Sequence, residues 1–370
     1  RNRMNQMNSY GDNVHTRSLS VVLPSGRSLS YLQYDSINKN STLSSRSNAL
    51  RILCVHGWLD NANSFKFLAP TLIHSLINHR SNDPNIAITL ISVDLPGQGQ
   101  SDPLSLDGIY SVANSARDLV HFLNQLQWKH NIYLIGHSLG AAICAMVSCA
   151  IPNRVEKVCF LDWLGDPRSN LITKQNKSSQ EILNHDSNRF IRSIQMFIHE
   201  KSMETHHNTH DELNTMNQLL SRKQFQTLND ATLHLQRNHI GNLSYSAAYA
   251  LVERGVRPIS SPNSSGSENS KVVYEFSYDP KIKRGSGEPP YTYSQNLSIL
   301  HSVLCPVLVI FAEKGLFQSV PQAEMDERKD AVRDLTVKAC PGAHHFHLET
   351  PELLVPYISQ FINSVDHQSK

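Results

Sequence analysis

The sequence predicts an α/β protein, with a mostly parallel central sheet covered by helices on both faces and an inserted helical cap. Three observations carry this. Short apolar runs alternate with helix-period segments, as expected of parallel strands buried on both faces. One pentapeptide, Gly136-His137-Ser138-Leu139-Gly140, joins such a run to a segment of small apolar residues. The alternation breaks once, from residue 165 to 304, and then resumes.

In chain order, residues 18–23 and 27–34 read as strands around Pro24-Ser25-Gly26, an antiparallel hairpin. Residues 37–48 are rich in Ser and Asn and read as a loop. Apolar strands follow at 50–55, 86–93 and 132–135, with helical patterns at 64–78 and 111–127 between them. Further strands read at 155–161, 306–311 and 335–339, and a helix over 351–362 closes the core. The core is therefore expected from 1–164 and 305–370, and the cap from 165–304.

Within the cap, helical patches read at 180–197 and 211–229. The Ser-, Asn-, Gly- and Pro-bearing stretch 260–270 buries too little apolar surface to order itself and is expected to be disordered. The run His206-His207-Asn208-Thr209-His210 has no fixed ligand spacing and no accompanying Cys or carboxylate set, so a solvated loop is expected and not a metal site.

The 370 residues can bury one large core, and the net charge of +2 points to neither nucleic acid nor an anionic membrane surface. No apolar run reaches the roughly 18 residues that span a bilayer. Residues 1–12 are polar and lack the apolar stretch of a secretory signal. Cys54, Cys144, Cys149, Cys159, Cys305 and Cys340 lie mostly in apolar surroundings without a paired spacing, as reduced core residues would. The expectation is an intracellular, cytoplasmic protein. Ser369-Lys370 stops one residue short of the peroxisomal S-K-L address, which keeps that compartment open.

The pentapeptide is G-x-S-x-G with a strand before it and a helix after it. A sharp strand-to-helix turn lifts the Ser138 hydroxyl off the sheet, and Gly136 and Gly140 leave room for the turn. The helix N-terminus then aims free N–H groups at an oxyanion beside the serine. A serine needs a base, and the base needs a partner that fixes its tautomer. Base candidates are His344, His345 and His347, in a loop after the last strand, on the sheet edge that Ser138 faces. After the first parallel strand, His56-Gly57 turns the backbone so that the Trp58 N–H faces the serine beside that of Leu139. Asn61-Ala62-Asn63-Ser64 reads as the helix cap that follows.

These pieces resemble the α/β-hydrolase superfamily: His56-Gly57-Trp58, the loop from Asp94 to Ser101, Gly136–Gly140 and the segment His344–Pro351. The segment His56–Phe65 with Glu253-Arg254-Gly255-Val256-Arg257 and Phe276-Ser277-Tyr278-Asp279-Pro280-Lys281 looks most like the serine hydrolase-like proteins, which carry a helical cap and are presumed hydrolases of poorly defined substrate. One departure is Gln98, where the superfamily often has His or Arg.

The resemblance makes Ser138 the nucleophile and His344 the base, three residues before a second histidine at 347, with His345 as the fallback. The usual acid slot, past strand 307–311, holds Gly315 instead of Asp. Asp162, at the end of strand 155–161, is the favoured replacement, and Glu313 is the alternative acid. The expected activity is that of a carboxylic ester hydrolase acting on a small acyl substrate through an acyl-enzyme, with Trp58 and Leu139 as the oxyanion hole and no cofactor. The rival is a non-catalytic ligand-binding or interaction protein on the same fold, favoured by Gly315.

Overall fold

The computed structural model describes residues 14–36, 49–79, 87–105, 108–167, 222–241, 243–260, 272–284 and 291–364. The expected hairpin is β1 (Val14–Val22) and β2 (Ser28–Ser36), paired from Val14–Ser36 to Val22–Ser28. Both strands run longer than the apolar pattern implies, because pairing continues through polar residues such as Arg17 and Gln33. Then β3 (Leu50–Val55), α1 (Leu68–His79), β4 (Ile88–Val93), α2 (Val112–Gln125), β5 (Ile132–His137), α3 (Leu139–Ala150) and β6 (Val155–Leu161) alternate as expected.

The inserted stretch contributes β7 (Gln224–Phe225), α4 (Leu228–Asn238), α5 (Tyr245–Gly255), β8 (Val256–Ser260), β9 (Val272–Phe276) and α6 (Tyr293–Ser302). The core resumes with β10 (Val307–Lys314), α7 (Gln322–Asp330), β11 (Leu335–Ala343), α8 (Phe346–Glu349) and α9 (Val355–Asn363). The expected single helix over 351–362 divides into a 3-10 turn at Pro351–Leu353 and α9. Pro356 lies in the first turn of α9, where a residue without an N–H starts a helix more readily than it continues one.

The main sheet has eight strands in the order β1-β2-β4-β3-β5-β6-β10-β11. β2 pairs antiparallel with β1 and β4, and the strands from β4 to β11 are parallel. Alternate residues face alternate sides. Leu53, Val55, Leu134, Val158 and Val309 join the cluster under α2 and α3, whereas Ile52, Cys54, Ile135, Cys159 and Ile310 join the one under α1 and α9. Each such fully buried Leu, Ile or Val contributes about 1.5–3 kcal/mol, so this two-sided burial dominates the stability of the sheet. All six cysteines are free.

β7, β9 and β8 form a second, antiparallel sheet, so the inserted stretch is not purely helical. At its C-terminal end α6 sends Leu300 and Val303 into the core cluster of α3, inside the boundary expected at 304. The expected patch 180–197 and the run His206–His210 lie outside the described residues, as do residues 261–270 of the expected loop. Of the patch 211–229, the described part carries β7, and its helix begins at Leu228 behind a Thr227 cap that accepts from the Asp230 N–H.

Candidate active site

Ser138 sits between β5 and α3 at φ +52°, ψ −117°, a backbone conformation costly for any residue with a side chain. Its N–H donates to the Leu161 carbonyl at 3.1 Å, which pins the turn to β6. Its side chain makes no capping bond to α3. The flanking glycines are sterically required. A Cβ at Gly136 would lie 2.5 Å from the Ala141 nitrogen, and one at Gly140 would lie 2.0 Å from the Val55 carbonyl oxygen. The Leu139 N–H opens α3 and has no acceptor among the described residues.

The turn after β3 is held from two sides. The His56 Nδ1–H donates to the Gly57 carbonyl at 2.8 Å, and Nε2 accepts from the Leu95 N–H at 3.0 Å. These partners require the neutral imidazole, and burial lowers the His56 pKa in the same direction. Leu59 adopts φ +62°, and its N–H donates to Gln98 Oε1 at 2.7 Å. Gln98, the departure from the superfamily pattern, is thus a buried brace for this turn. The Trp58 N–H has no acceptor among the described residues. Asn61 caps the following 3-10 turn by accepting from the Asn63 N–H, as its sequence position predicts.

His344 and Asp162 meet. The His344 Nδ1 lies 2.6 Å from Asp162 Oδ2, both side chains being buried. Asp162 ends β6 at φ +50°, and its N–H donates to the Ile310 carbonyl at 2.8 Å. Its carboxylate also accepts from the Leu316 N–H at 3.0 Å and the Ala312 N–H at 3.3 Å. Position 315 is where the sequence departs, and the structure supplies the reason. A Cβ on Gly315 would lie 2.3 Å from Asp162 Oδ1. Glu313 is exposed at the end of β10 and makes no hydrogen bond to His344.

The other histidines gather around Asp60, whose place in the sequence suggests only a turn or cap residue. Asp60 Oδ2 lies 3.3 Å from His345 Nε2, and Oδ1 lies 3.2 Å from His239 Nε2. Burial alone would raise the Asp60 pKa, but His345 and His239 outweigh it and hold the carboxyl well below its usual range. His347 Nε2 pairs with Ser64 Oγ at 2.8 Å. His137, the residue before Ser138, donates from Nε2 to the His344 carbonyl at 2.9 Å, tying the elbow to the histidine loop. Burial and neighbouring imidazoles hold His137 and His347 well below the ordinary value, so both are neutral near pH 7. His345, the fallback base, faces Asp60 rather than Asp162. His239 stands alone in sequence, which is why no pattern singled it out.

The family model described as the alpha/beta hydrolase fold matches residues 51–346. The chain belongs to this family. As an α/β-hydrolase it has relatives among curated proteins. It is 25% identical to a serine hydrolase-like protein of Dictyostelium discoideum over 86% of this chain and 76% of that one. It is 25% identical to a serine hydrolase-like protein of Danio rerio over 84% of this chain and 81% of that one. Among solved structures, a hypothetical protein of Pseudomonas aeruginosa PAO1 superposes with TM-score 0.67 at 20% identity, covering 94% of this chain and 99% of the other. E-2-(acetamidomethylene)succinate hydrolase superposes with TM-score 0.61 at 19% identity, covering 95% and 100%.

In this α/β-hydrolase the inserted stretch is bonded to the turn after β3 and to the loop after β4. Asn61 Nδ2 donates to the Leu251 carbonyl at 2.8 Å and Asn63 Nδ2 to the Ala250 carbonyl at 2.7 Å. Arg254 Nε donates to the buried Asp94 carboxylate at 2.9 Å, and Tyr110 to Asp279 at 2.6 Å. These are the Glu253–Arg257 and Phe276–Lys281 segments that carried the resemblance. Between the two parts lies a cavity of about 120 Å³, bordered by Trp58, Asp60, His239, Leu251 and Phe276. Ser138 and His344 do not line it. Among the described residues no helix is long and apolar enough to cross a membrane.

Proposed function

We propose that this chain is a serine hydrolase that cleaves carboxylic esters or related small acyl substrates through an acyl-enzyme. The observation that carries the proposal is the 2.6 Å pairing of His344 Nδ1 with Asp162 Oδ2 at the edge of the sheet where the Ser138 elbow stands. A carboxylate on Nδ1 leaves Nε2 as the basic nitrogen. Ser138 Oγ attacks the acyl carbon, and His344 Nε2 takes its proton and then delivers it to the leaving oxygen. Water repeats the cycle on the acyl-enzyme. Asp162, in preference to Glu313, holds the Nδ1–H and stabilises the imidazolium. The free N–H groups of Trp58 and Leu139 receive the oxyanion, each worth about 10²–10³ in rate. No metal or organic cofactor enters these steps. In this reading the described residues of 165–304 serve as the cap over a core drawn from those of 1–164 and 305–370, with Leu300 and Val303 packed into that core.

The non-catalytic alternative drew its support from the missing acid at 315. With the Asp162 carboxylate in that space, the glycine no longer counts for it. The test is labelling with a fluorophosphonate probe. Wild-type protein is expected to label. Ser138→Ala is expected not to label, His344→Ala to label at most in trace, and Asp162→Asn more slowly than Glu313→Gln. A folded wild type that does not label overturns the assignment.

A further inference from the structure

The imidazoles of His239 and His345 are each placed between two acceptors. Nε2 faces Asp60 at 3.2 and 3.3 Å respectively. Nδ1 faces the Ile240 carbonyl at 3.3 and 3.1 Å respectively. A carbonyl oxygen only accepts, so each Nδ1 must carry hydrogen. In a neutral ring that leaves the Nε2 lone pair pointing at a carboxylate oxygen. Protonating His239 alone would pair that ring with Asp60 and still leave the His345 Nε2 lone pair against the carboxylate, and protonating both would set two imidazolium rings, with centroids 4.4 Å apart, against it. A cation shared by the three residues satisfies every atom.

The spacing supports the same answer. The 3.2 Å from His239 Nε2 to Asp60 Oδ1 and the 3.3 Å from His345 Nε2 to Asp60 Oδ2 run to different carboxylate oxygens, and each is close to the roughly 3.3 Å edge of a tetrahedral ion with bonds of about 2.0–2.1 Å. The three ligand atoms lie within 4.8 Å of one another. An Nδ1–H bonded to a backbone carbonyl is the usual outer contact of a metal-bound histidine. A further buried donor is left over. His137 spends its Nε2–H on the His344 carbonyl, its Nδ1 has no hydrogen-bond partner, and that atom lies 3.8 Å from Asp60 Oδ2. The 120 Å³ cavity reaches Asp60 and His239 and offers a path inward.

We propose that Asp60, His239 and His345 bind one divalent transition ion of the zinc type, with His137 Nδ1 as the nearest additional donor. Two imidazoles and one carboxylate favour such ions over magnesium or calcium. The ion would join the loop after α4 to the turn after β3 and to the histidine loop, one residue from His344. No spacing pattern announces it, because the ligands lie at positions 60, 239 and 345. The site shares no residue with the proposed acyl chemistry, so either assignment can fail alone.

The test uses the full chain, stripped with a chelator and dialysed, then titrated calorimetrically with zinc chloride and optically with cobalt(II). The expected result is about one ion per chain with a dissociation constant of about 1 μM or below, and intense visible cobalt bands from a low-coordinate site. His239→Gln and His345→Gln, checked for folding by circular dichroism, should each weaken binding about 100-fold or more, beyond the 10–100-fold typical of an outer contact. Alanine at His206, His207 and His210 together should leave it unchanged. Folded wild type without a high-affinity ion, unchanged affinity in His239→Gln, or loss in the 206/207/210 variant would each overturn the proposal.

Discussion

The carboxylate of Asp162 occupies the space that a side chain at position 315 would need. A Cβ there would lie 2.3 Å from Oδ1, 2.4 Å from Oδ2 and 2.6 Å from Cγ. The Asp162 carboxylate at the end of β6 and the glycine after β10 therefore belong to one arrangement, in which only one of the two positions can carry a side chain into this space. With that carboxylate in place, position 315 has to be small.

This coupling can be tested by moving the acid. Gly315→Ala should displace Asp162 and lower kcat/KM for an activated ester almost as much as Asp162→Asn, about 10³–10⁴-fold. The double variant Asp162→Gly with Gly315→Asp should recover about tenfold or more over Asp162→Gly alone, since glycine accepts φ +50° at 162. Steady-state kinetics decide it, and no recovery would mean that the two sites are not interchangeable.

Ser138 at φ +52° stores strain that a glycine would release. Such conformations cost about 1–3 kcal/mol, so Ser138→Gly should abolish fluorophosphonate labelling while raising stability by about 1 kcal/mol after glycine's own entropic cost. Urea unfolding measures the gain. A loss of stability would show that the elbow is not strained.

Arg254 joins the inserted stretch to the core through Asp94, both nearly inaccessible to solvent. Asp94 also accepts the N–H groups of Ala62 at 2.7 Å and Gln100 at 3.0 Å. Arg254→Met removes the cation and leaves the carboxylate buried, which should cost about 3–5 kcal/mol. Adding Asp94→Asn should return part of that loss. Chemical denaturation of the four proteins in this cycle gives the coupling, and additive losses would remove the argument.

The alternation of apolar strands and helices and the elbow Gly136–Gly140 were legible in the sequence because their causes are local. A strand buried on both faces must be apolar throughout, and a turn that brings Gly140 against the Val55 carbonyl admits no side chain. His344 and Asp162 were legible as candidates from their places after strands. Their pairing was decided only by the fold, which lays β10 between β6 and β11 and so brings two strand ends together across 182 residues. The same holds for Asp60, His239 and His345, and for Asp94 with Arg254. Asp60 and His239 are inconspicuous along the chain, and His345, Asp94 and Arg254 stand out only as members of local motifs; the pairing of each comes from being buried beside a partner that sequence distance conceals. Local pattern determined the scaffold and the Ser138 turn. Burial and long-range apposition, which pair charges and fix tautomers, determined what stands around them.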